Sequence, residues 1–439
     1  MFPPDHALRI TLAEEVHARP PEPVRAPAKA SYVAVLVDAD ARSRELAHIC
    51  ALCARHGVAP PAAAATHFRA QLGALRLKWE RHGEFSGYTF IAASSTSGLS
   101  FDSVAAALLP AGWLAATPGA TIAAVHAELL LASETPATSE RLNAAFEGQI
   151  IVGSGIADGL AQVYTDFQLH DGCTRLLIFD QGLTERQSGR MMQRMFEIEA
   201  YRMLALLALP IARRQSPRIV EIEGALATLT DGIAQARTHT PDRSGDRQAQ
   251  DEALLHELTR LAAEVESGLA ASQFRFGACR AYFELVTRRI AELRETRLPG
   301  MQTYDEFMAR RFTPAVDTCT TVSQRLHDLS ERVAQASSLL STRVDITREQ
   351  QNQALLASMD QRAKLQLRLQ QTVEGLSVAA ICYYAAGLVG YAAKALKTSG
   401  VPVNPDLAVG LSIPLVALAV VAAVRRARRQ VQAGDPSPH

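Results

Sequence analysis

The sequence predicts an α/β cytoplasmic domain followed by a long α-helical bundle or stalk and a two-helix transmembrane hairpin. Three observations carry that prediction. Short apolar runs bounded by turn residues fill 31–183, apolar residues at helical spacing fill 184–372, and two long, nearly uncharged stretches lie close to the carboxyl end. The chain of 439 residues exceeds what one small core organises, so several units are expected. In order they are a proline-rich arm (1–30), a mixed α/β domain (31–183), a helical domain (184–315) interrupted by a polar linker (237–250), and a long stalk helix (316–372). A first transmembrane helix (373–393), an outer loop (394–406), a second transmembrane helix (407–424) and a basic cytoplasmic tail (425–439) complete the plan.

Forty-five basic residues balance 45 acidic ones, and a neutral chain lacks the concentrated basic surface that nucleic acid requires. The cysteines, Cys50, Cys53, Cys173, Cys279, Cys319 and Cys382, are too scattered for a disulfide framework, which points to a reducing compartment. The opening MFPPDHALRI lacks a basic region followed by an apolar core, so a cleaved secretory leader is not expected. HARPPEPVRAPAKA (17–30) favours an extended course and reads as an arm, or a surface lead-in, to the domain that follows.

Within the α/β domain SYVAVLV reads as a strand and 43–55 as a helix stopped by Gly57 and the Pro60–Pro61 pair. Further strands are expected over 120–131, 149–153 and 174–179. LRLKWERHGEFSGYTF (75–90) sets Leu75, Leu77 and Trp79 on one face and Arg76, Lys78 and Glu80 on the other, with Arg81, His82 and Glu84 around the turn. Period two on both sides of a polar turn is a β-hairpin with one buried face, its charged face meeting solvent, a helix or another subunit. His82 and Glu84 have the chemistry for proton transfer, but no third partner is visible, so a surface hairpin is the expectation.

HICALCARH (48–56) brings His48, Cys50, Cys53 and His56 close in sequence, a spacing that suits zinc or a redox pair. The cysteines also fit a helical apolar pattern with Leu46, Ile49 and Leu52, which favours buried thiols. GQIIVGSGIADG resembles a nucleotide loop in Gly153 and Gly155, but Asp158 stands where the third glycine belongs and no P-loop lysine follows. No motif identifies a cofactor or a catalytic residue.

From 184 onward the periodicity is helical. Met191, Met195, Ile198, Met203, Leu206 and Leu209 form one stripe, read as a packed core helix that Pro210 kinks or restarts. A second helix is expected over 217–234 and a third over 252–297. Thr303 and Glu306 have the spacing of a capping box for a short helix closed by Pro314. Leu326, Leu329, Val333, Ala336 and Leu340 then mark a coiled-coil seam, which turns polar at Thr347, Gln351 and Gln353. That polar stripe is either a loose, register-setting contact or the lining of a wet axis between several copies.

VEGLSVAAICYYAAGLVGYAA (373–393) is long enough to cross a bilayer at 1.5 Å per residue, and LAVGLSIPLVALAVVAAV (407–424) is short but sufficient. Arg362, Lys364 and Arg368 precede the first and Arg425, Arg426, Arg428 and Arg429 follow the second, against only Lys394 and Lys397 between them. The positive-inside tendency then sets both termini in the cytoplasm of a bacterial inner membrane, in a multi-pass arrangement. Two buried helices of a soluble domain are the rival reading, and the arginine cluster after an uncharged run weighs against it. Small residues along the first span suit close helix packing and a homo-oligomer, and Tyr383 and Tyr384 lie at mid-span, where hydroxyls seek a partner helix or water.

EVHARPPEPVRAP, HFRAQLGALRLKWERHGEFSGYTF, VYTDFQLHDGCTRLLIFDQGLTERQSGRMMQRMFEIEAYRMLALLALPIAR and TREQQNQALLASMDQRAKLQLRLQQTVEGLSVAAICYY resemble a family of bacterial membrane-anchored proteins, the DUF3422 family. That resemblance implies membrane anchoring and supplies no activity or catalytic residue. The plan of α/β domain, stalk, two spans and basic tail also resembles the CorA-type magnesium channels. There the resemblance implies an oligomer conducting an inorganic ion, with Thr347, Gln351, Tyr383 and Tyr384 as the axis-facing candidates. The Gly-Met-Asn signature of that class is missing here: Gly390, Tyr391, Ala392, Ala393 and Lys394 follow instead. The expected partners are the bilayer, further copies of the chain and an ion as cargo. Two alternatives stand beside conduction, a membrane-tethered structural or regulatory protein and a membrane-anchored enzyme using His82, Glu84 or Asp166.

Overall fold

A computed structural model describes residues 3–10, 12–13, 20–94, 101, 103–235, 244–399, 402 and 404–433. The chain divides into two compact units, one of Met1–Asp242 with Ala253–Ser338, the other of Arg243–Glu252 with Leu339–His439.

The first unit is built on a mixed sheet. In chain order it comprises β1 (Ala28–Leu36), α1 (Ala41–Arg55), β2 (His67–Leu72), β3 (Leu75–Arg81), β4 (Phe85–Ala93), a 3-10 turn (Ala105–Leu108), β5 (Ala120–Leu131), α2 (Ser139–Ala145), β6 (Val152–Ile156), β7 (Ala161–Thr165), β8 (Leu169–His170) and β9 (Cys173–Asp180). Helix α3 (Glu185–Leu206), α4 (Leu209–Gln235), α5 (Ser244–Leu293), the short β10 (Thr296–Arg297), α6 (Tyr304–Arg311), α7 (Thr313–Thr398) and α8 (Pro405–Ala433) follow. Among the described residues the ten strands form one sheet in the order β10-β6-β7-β9-β5-β1-β4-β3-β2, with β8 paired to β9. Among these strands of the described residues only β5 and β9 run parallel. A parallel pair needs a crossover, and α2, β6 and β7 supply it.

The expected hairpin is β3 and β4, in register from Leu75↔Ala92 to Arg81↔Ser86. Leu75, Leu77 and Trp79 turn to the same side as Tyr88 and Phe90 and are sealed by Ile49 and Leu52 of α1 and by Trp113. Each such side chain contributes about 1.5–3 kcal/mol on burial. A second cluster on this side gathers Leu142, Phe146, Tyr164, Leu177 and Phe179 around α2. The opposite side is covered by α3, whose Phe196 stacks on Tyr32 of β1 at 5.1 Å. Of the methionine stripe, Met191, Met195 and Ile198 are buried, and Met203, Leu206 and Leu209 are half-buried. Thr184 and Gln187 close a capping box at the start of α3.

Several expected boundaries move. The strand expected over 149–153 is β6, three residues later, and Gly153 and Gly155 lie within it. A Cβ at Gly155 would stand 2.2 Å from Thr296 Oγ1, and one at Gly153 2.7 Å from Met301 Sδ. The glycines of this stretch therefore admit close neighbours rather than a phosphate. β2, β7, β8 and β10 were not expected: β8 and β10 have two residues each, and β2 (HFRAQL) and β7 (AQVYT) are short runs between polar turns. α4 begins at Leu209, with Pro210 in its first turn and Pro217 inside it. Pro210 restarts the helix, as proline in a first turn does. The back of the expected linker, from Ser244, is already helical in α5, and its front lies outside the described residues. α5 stops at Leu293 because Arg294 takes a left-handed φ of 51°, and Thr296 then pairs with Gly155.

The Thr303–Glu306 capping box is present at α6. The expected stalk and the expected first span are one helix, α7, of 86 residues, with Pro314 in its first turn. Of the seam, Leu326, Leu329, Val333 and Leu340 are buried. In the first unit that stretch meets the chain's own helices: Arg325 bridges to Glu223 of α4 at 2.7 Å and Ser330 Oγ donates to Glu266 of α5 at 2.5 Å.

In the second unit Arg343 Nε lies 3.3 Å from the buried carboxylate of Asp251. Ala386 and Ala393 are the buried positions of 373–393, and a Cβ at Gly390 between them would come within 3.0 Å of Val409 Cγ2 on α8. Of the small residues of this stretch, Gly390 thus meets α8 and Ala386 and Ala393 are buried, while Ala379, Ala380, Gly387 and Ala392 are exposed. The apolar windows of the two helices are 11% and 0% buried. Both are long and apolar enough to cross a membrane.

Candidate functional site

The charged side of the hairpin is not a solvent face. Lys78 and Glu80 are only 4% and 9% exposed; they pair at 2.9 Å, and Lys78 Nζ donates to Gln193 Oε1 of α3 at 3.1 Å. Arg76 donates to Pro23 O at 2.7 Å, and Glu22 pairs with Arg69 at 2.7 Å and with Arg76 at 3.6 Å. The proline-rich arm therefore lies along β2 and β3, and Val24 N donates to Glu185 O of α3 at 2.9 Å. Arg81 reaches over the Trp79 ring toward Glu45, which accepts from Trp79 Nε1 at 3.0 Å and Tyr88 Oη at 2.7 Å. His82 stacks on Phe85 at 4.3 Å. Glu84 accepts two bonds from Arg275 Nη2, at 2.7 and 2.8 Å. Each charge is matched by a structural partner, and His82 and Glu84 serve different neighbours rather than one proton path.

The four residues of the His/Cys stretch do not converge. His48 stacks on Trp113 and Nε2 donates to Trp113 O at 3.0 Å, burial holding its pKa below the usual value. Cys53 is buried, Cys50 half-buried and His56 exposed. Among the described residues no group of three or more His, Cys, Asp or Glu is arranged to hold a metal ion. Of the axis candidates, Thr347 Oγ1 donates to Arg343 O at 3.0 Å on its own helix and Gln351 is half-buried. Tyr383 and Tyr384 are 78% and 71% exposed, their rings 5.8 Å apart.

Asp166 lies at a cavity. β7 ends in a tight turn where Phe167 holds a left-handed φ of 54°, a strained state for a non-glycine residue. The turn is fixed by Asp166 Oδ1, accepting Gln168 N at 3.0 Å, and by Thr165 Oγ1, accepting Phe167 N at 3.3 Å. The buried Asp166 Oδ2 accepts His170 Nε2 at 2.6 Å. Phe167 stacks on Phe307 of α6 at 4.4 Å, with the Arg202 guanidinium 5.3 Å from its ring centre. Arg202 is itself tied to Glu199, which accepts Thr174 Oγ1 at 2.8 Å.

These groups, with Arg310 and Arg311 at the end of α6 and Phe312 after it, wall a cavity of about 440 Å³ that Gln149, Gln168 and Gln302 also line. Arg310 and Arg311 are exposed and form no ion pair with a described residue. A basic pair in a helix's last turn also complements its dipole. A wider cleft of about 650 Å³ lies between α3 and α5, where Arg194 pairs with Glu292 and Arg294 with Asp158. Sequence reasoning placed Phe307, Arg310 and Arg311 on a short helix but assigned them no role. The visible signal was the ARRF run, two adjacent arginines at a helix end, with Glu306, four before Arg310, already used in the capping box.

Over residues 4–431 the chain matches the family model described as "Protein of unknown function (DUF3422)". Comparison with curated proteins and with solved structures returns no match.

Proposed function

For a chain that belongs to the DUF3422 family, we propose the role of a homo-oligomeric, multi-pass protein of a bacterial inner membrane that carries its α/β unit on the cytoplasmic side. One observation carries this reading: the apolar windows of α7 and α8 are 11% and 0% buried, so their side chains need lipid or another chain to cover them. Orientation follows from Arg425 and Arg426 after the second span and Arg362, Lys364 and Arg368 before the first, against Lys394 and Lys397 between. Alkaline phosphatase inserted after Ser399 should be active and a fluorescent protein at the carboxyl end should fold. An inactive phosphatase would overturn this orientation.

Oligomerisation is supported by Tyr383 and Tyr384. Their hydroxyls make no hydrogen bond with a described residue, and at mid-bilayer a polar group without a partner is unfavourable. Gly390 serves the intrachain hairpin, whereas Tyr383 and Tyr384 lie exposed and open to a second copy. Native mass measurement in lipid should find more than one copy per particle; a strict monomer removes this part of the proposal.

The same tyrosines favour a second reading, conduction of an inorganic ion along an axis lined by Thr347, Gln351, Tyr383 and Tyr384. It requires an ion flux in proteoliposomes that changes in Gln351→Ala or Tyr384→Phe. Liposomes that stay sealed to both cations and anions leave a tethered structural or regulatory protein.

A further inference from the structure

We propose that the cavity between the Asp166–Phe167 turn, Arg202 of α3 and the end of α6 binds a small phosphomonoester that carries a planar unsaturated ring, the chemical class of mononucleotides. The proposal does not rest on the membrane reading, since every residue in it belongs to the first unit.

Three features lead to this class of ligand. The first is charge. Of the arginines in this unit, Arg69, Arg175, Arg194, Arg275, Arg289 and Arg325 are each matched by a glutamate. Arg310 and Arg311 are not, although they stand side by side at the rim. Arg202 is already paired with Glu199, so the unmatched charge of the lining is that of Arg310 and Arg311, two positive charges for a phosphomonoester dianion. Guanidinium groups suit phosphate because their planar forks donate two parallel bonds.

The second feature is the wall. Phe167 and Phe307 stack as a pair, and Phe167 is held in its left-handed turn by Asp166 and Thr165 before any ligand arrives. A rigid aromatic surface beside a cation cluster suits a ring joined to a phosphate. The Asp166 carboxylate does not compete, because one oxygen accepts His170 and the other the backbone of Gln168. The third feature is size and polarity. About 440 Å³ lies within the range of small-molecule sites, and the amides of Gln149, Gln168 and Gln302 make no side-chain hydrogen bond with a described residue. They offer both donors and acceptors to the edge of a heterocycle.

The test is calorimetric titration of the full chain in detergent with adenosine 5′-monophosphate, ribose 5-phosphate, adenosine and inorganic phosphate. Saturable binding of the monophosphate is expected, with adenosine and inorganic phosphate each at least tenfold weaker. Arg310→Ala with Arg311→Ala should weaken the monophosphate at least tenfold, and the Lys pair at the same positions should restore only part of it. Phe307→Leu should weaken the monophosphate more than ribose 5-phosphate. Arg190→Ala, in the wider cleft, should change nothing. No saturable binding of the monophosphate, or binding indifferent to the Arg310 and Arg311 changes, overturns the proposal. Adenosine binding as well as its monophosphate removes the phosphate from it, and inorganic phosphate binding equally well removes the ring. None of these outcomes depends on whether α7 and α8 cross lipid.

Discussion

Glu45 shows how single residues set this fold. Its carboxylate is fully buried, accepts from Trp79 Nε1 and Tyr88 Oη, and faces Arg81 at 3.8 Å. Burial and that neighbouring carboxylate both push the Tyr88 hydroxyl's pKa up, so it stays a donor at any physiological pH. Removing one partner of such a group leaves the others buried and unmatched. Glu45→Ala should destabilise the protein by about 3–5 kcal/mol, read as a lowered midpoint in chemical denaturation, while Glu45→Gln should cost less. His126 makes a second case. Burial first, and Arg175 second, hold its pKa below the usual 6.5. Its Nδ1 lies 3.0 Å from Ser31 Oγ. The folded ring is neutral, so its contribution is complete above the unfolded pKa near 6.5. As pH falls below that value the unfolded chain takes up a proton the fold resists, and stability declines toward the folded pKa. His126→Gln should flatten the fall in melting temperature between about pH 7 and pH 5. A slope as steep as in the parent would assign it elsewhere, His48 being a second group with the same sign.

At the scale of elements the arm, the hairpin and α3 stabilise one another. Gly189 of α3 lies so close to the arm that a Cβ there would stand 1.6 Å from Glu22 O. Gly189→Ala should push the arm off, and limited proteolysis should then cut within 20–27 much faster than in the parent; an arm that stays protected would contradict this packing. Period-two alternation made β3 and β4 legible, because Leu75, Leu77 and Trp79 bury one face whatever covers the other. The fate of the other face was not legible. Lys78 and Glu80 look like solvent residues until Gln193, more than a hundred positions away, is brought beside them. The capping box at Thr303 was readable because it is local, as was the seam at Leu326, Leu329 and Val333. What that seam packs against was not, since a heptad does not say whether its partner is another copy or, as here, α4 and α5 of the same chain.

At the scale of the whole molecule, the two long apolar helices were legible from length and apolar content alone, and the cavity was not. Asp166 and Phe167 come from a strand end, Arg202 from α3 and Arg310 and Arg311 from α6, and only the fold makes them neighbours. The GSG stretch misled in the other direction, because glycines that admit Thr296 and Met301 look in sequence like glycines that admit a phosphate. The proposed membrane role depends most on α7 and α8 entering lipid. Alkaline carbonate extraction of membranes carrying the full chain tests this directly. The protein should stay with the membrane pellet, and deletion of 373–424 should release it. Release of the intact chain into the supernatant would contradict the account.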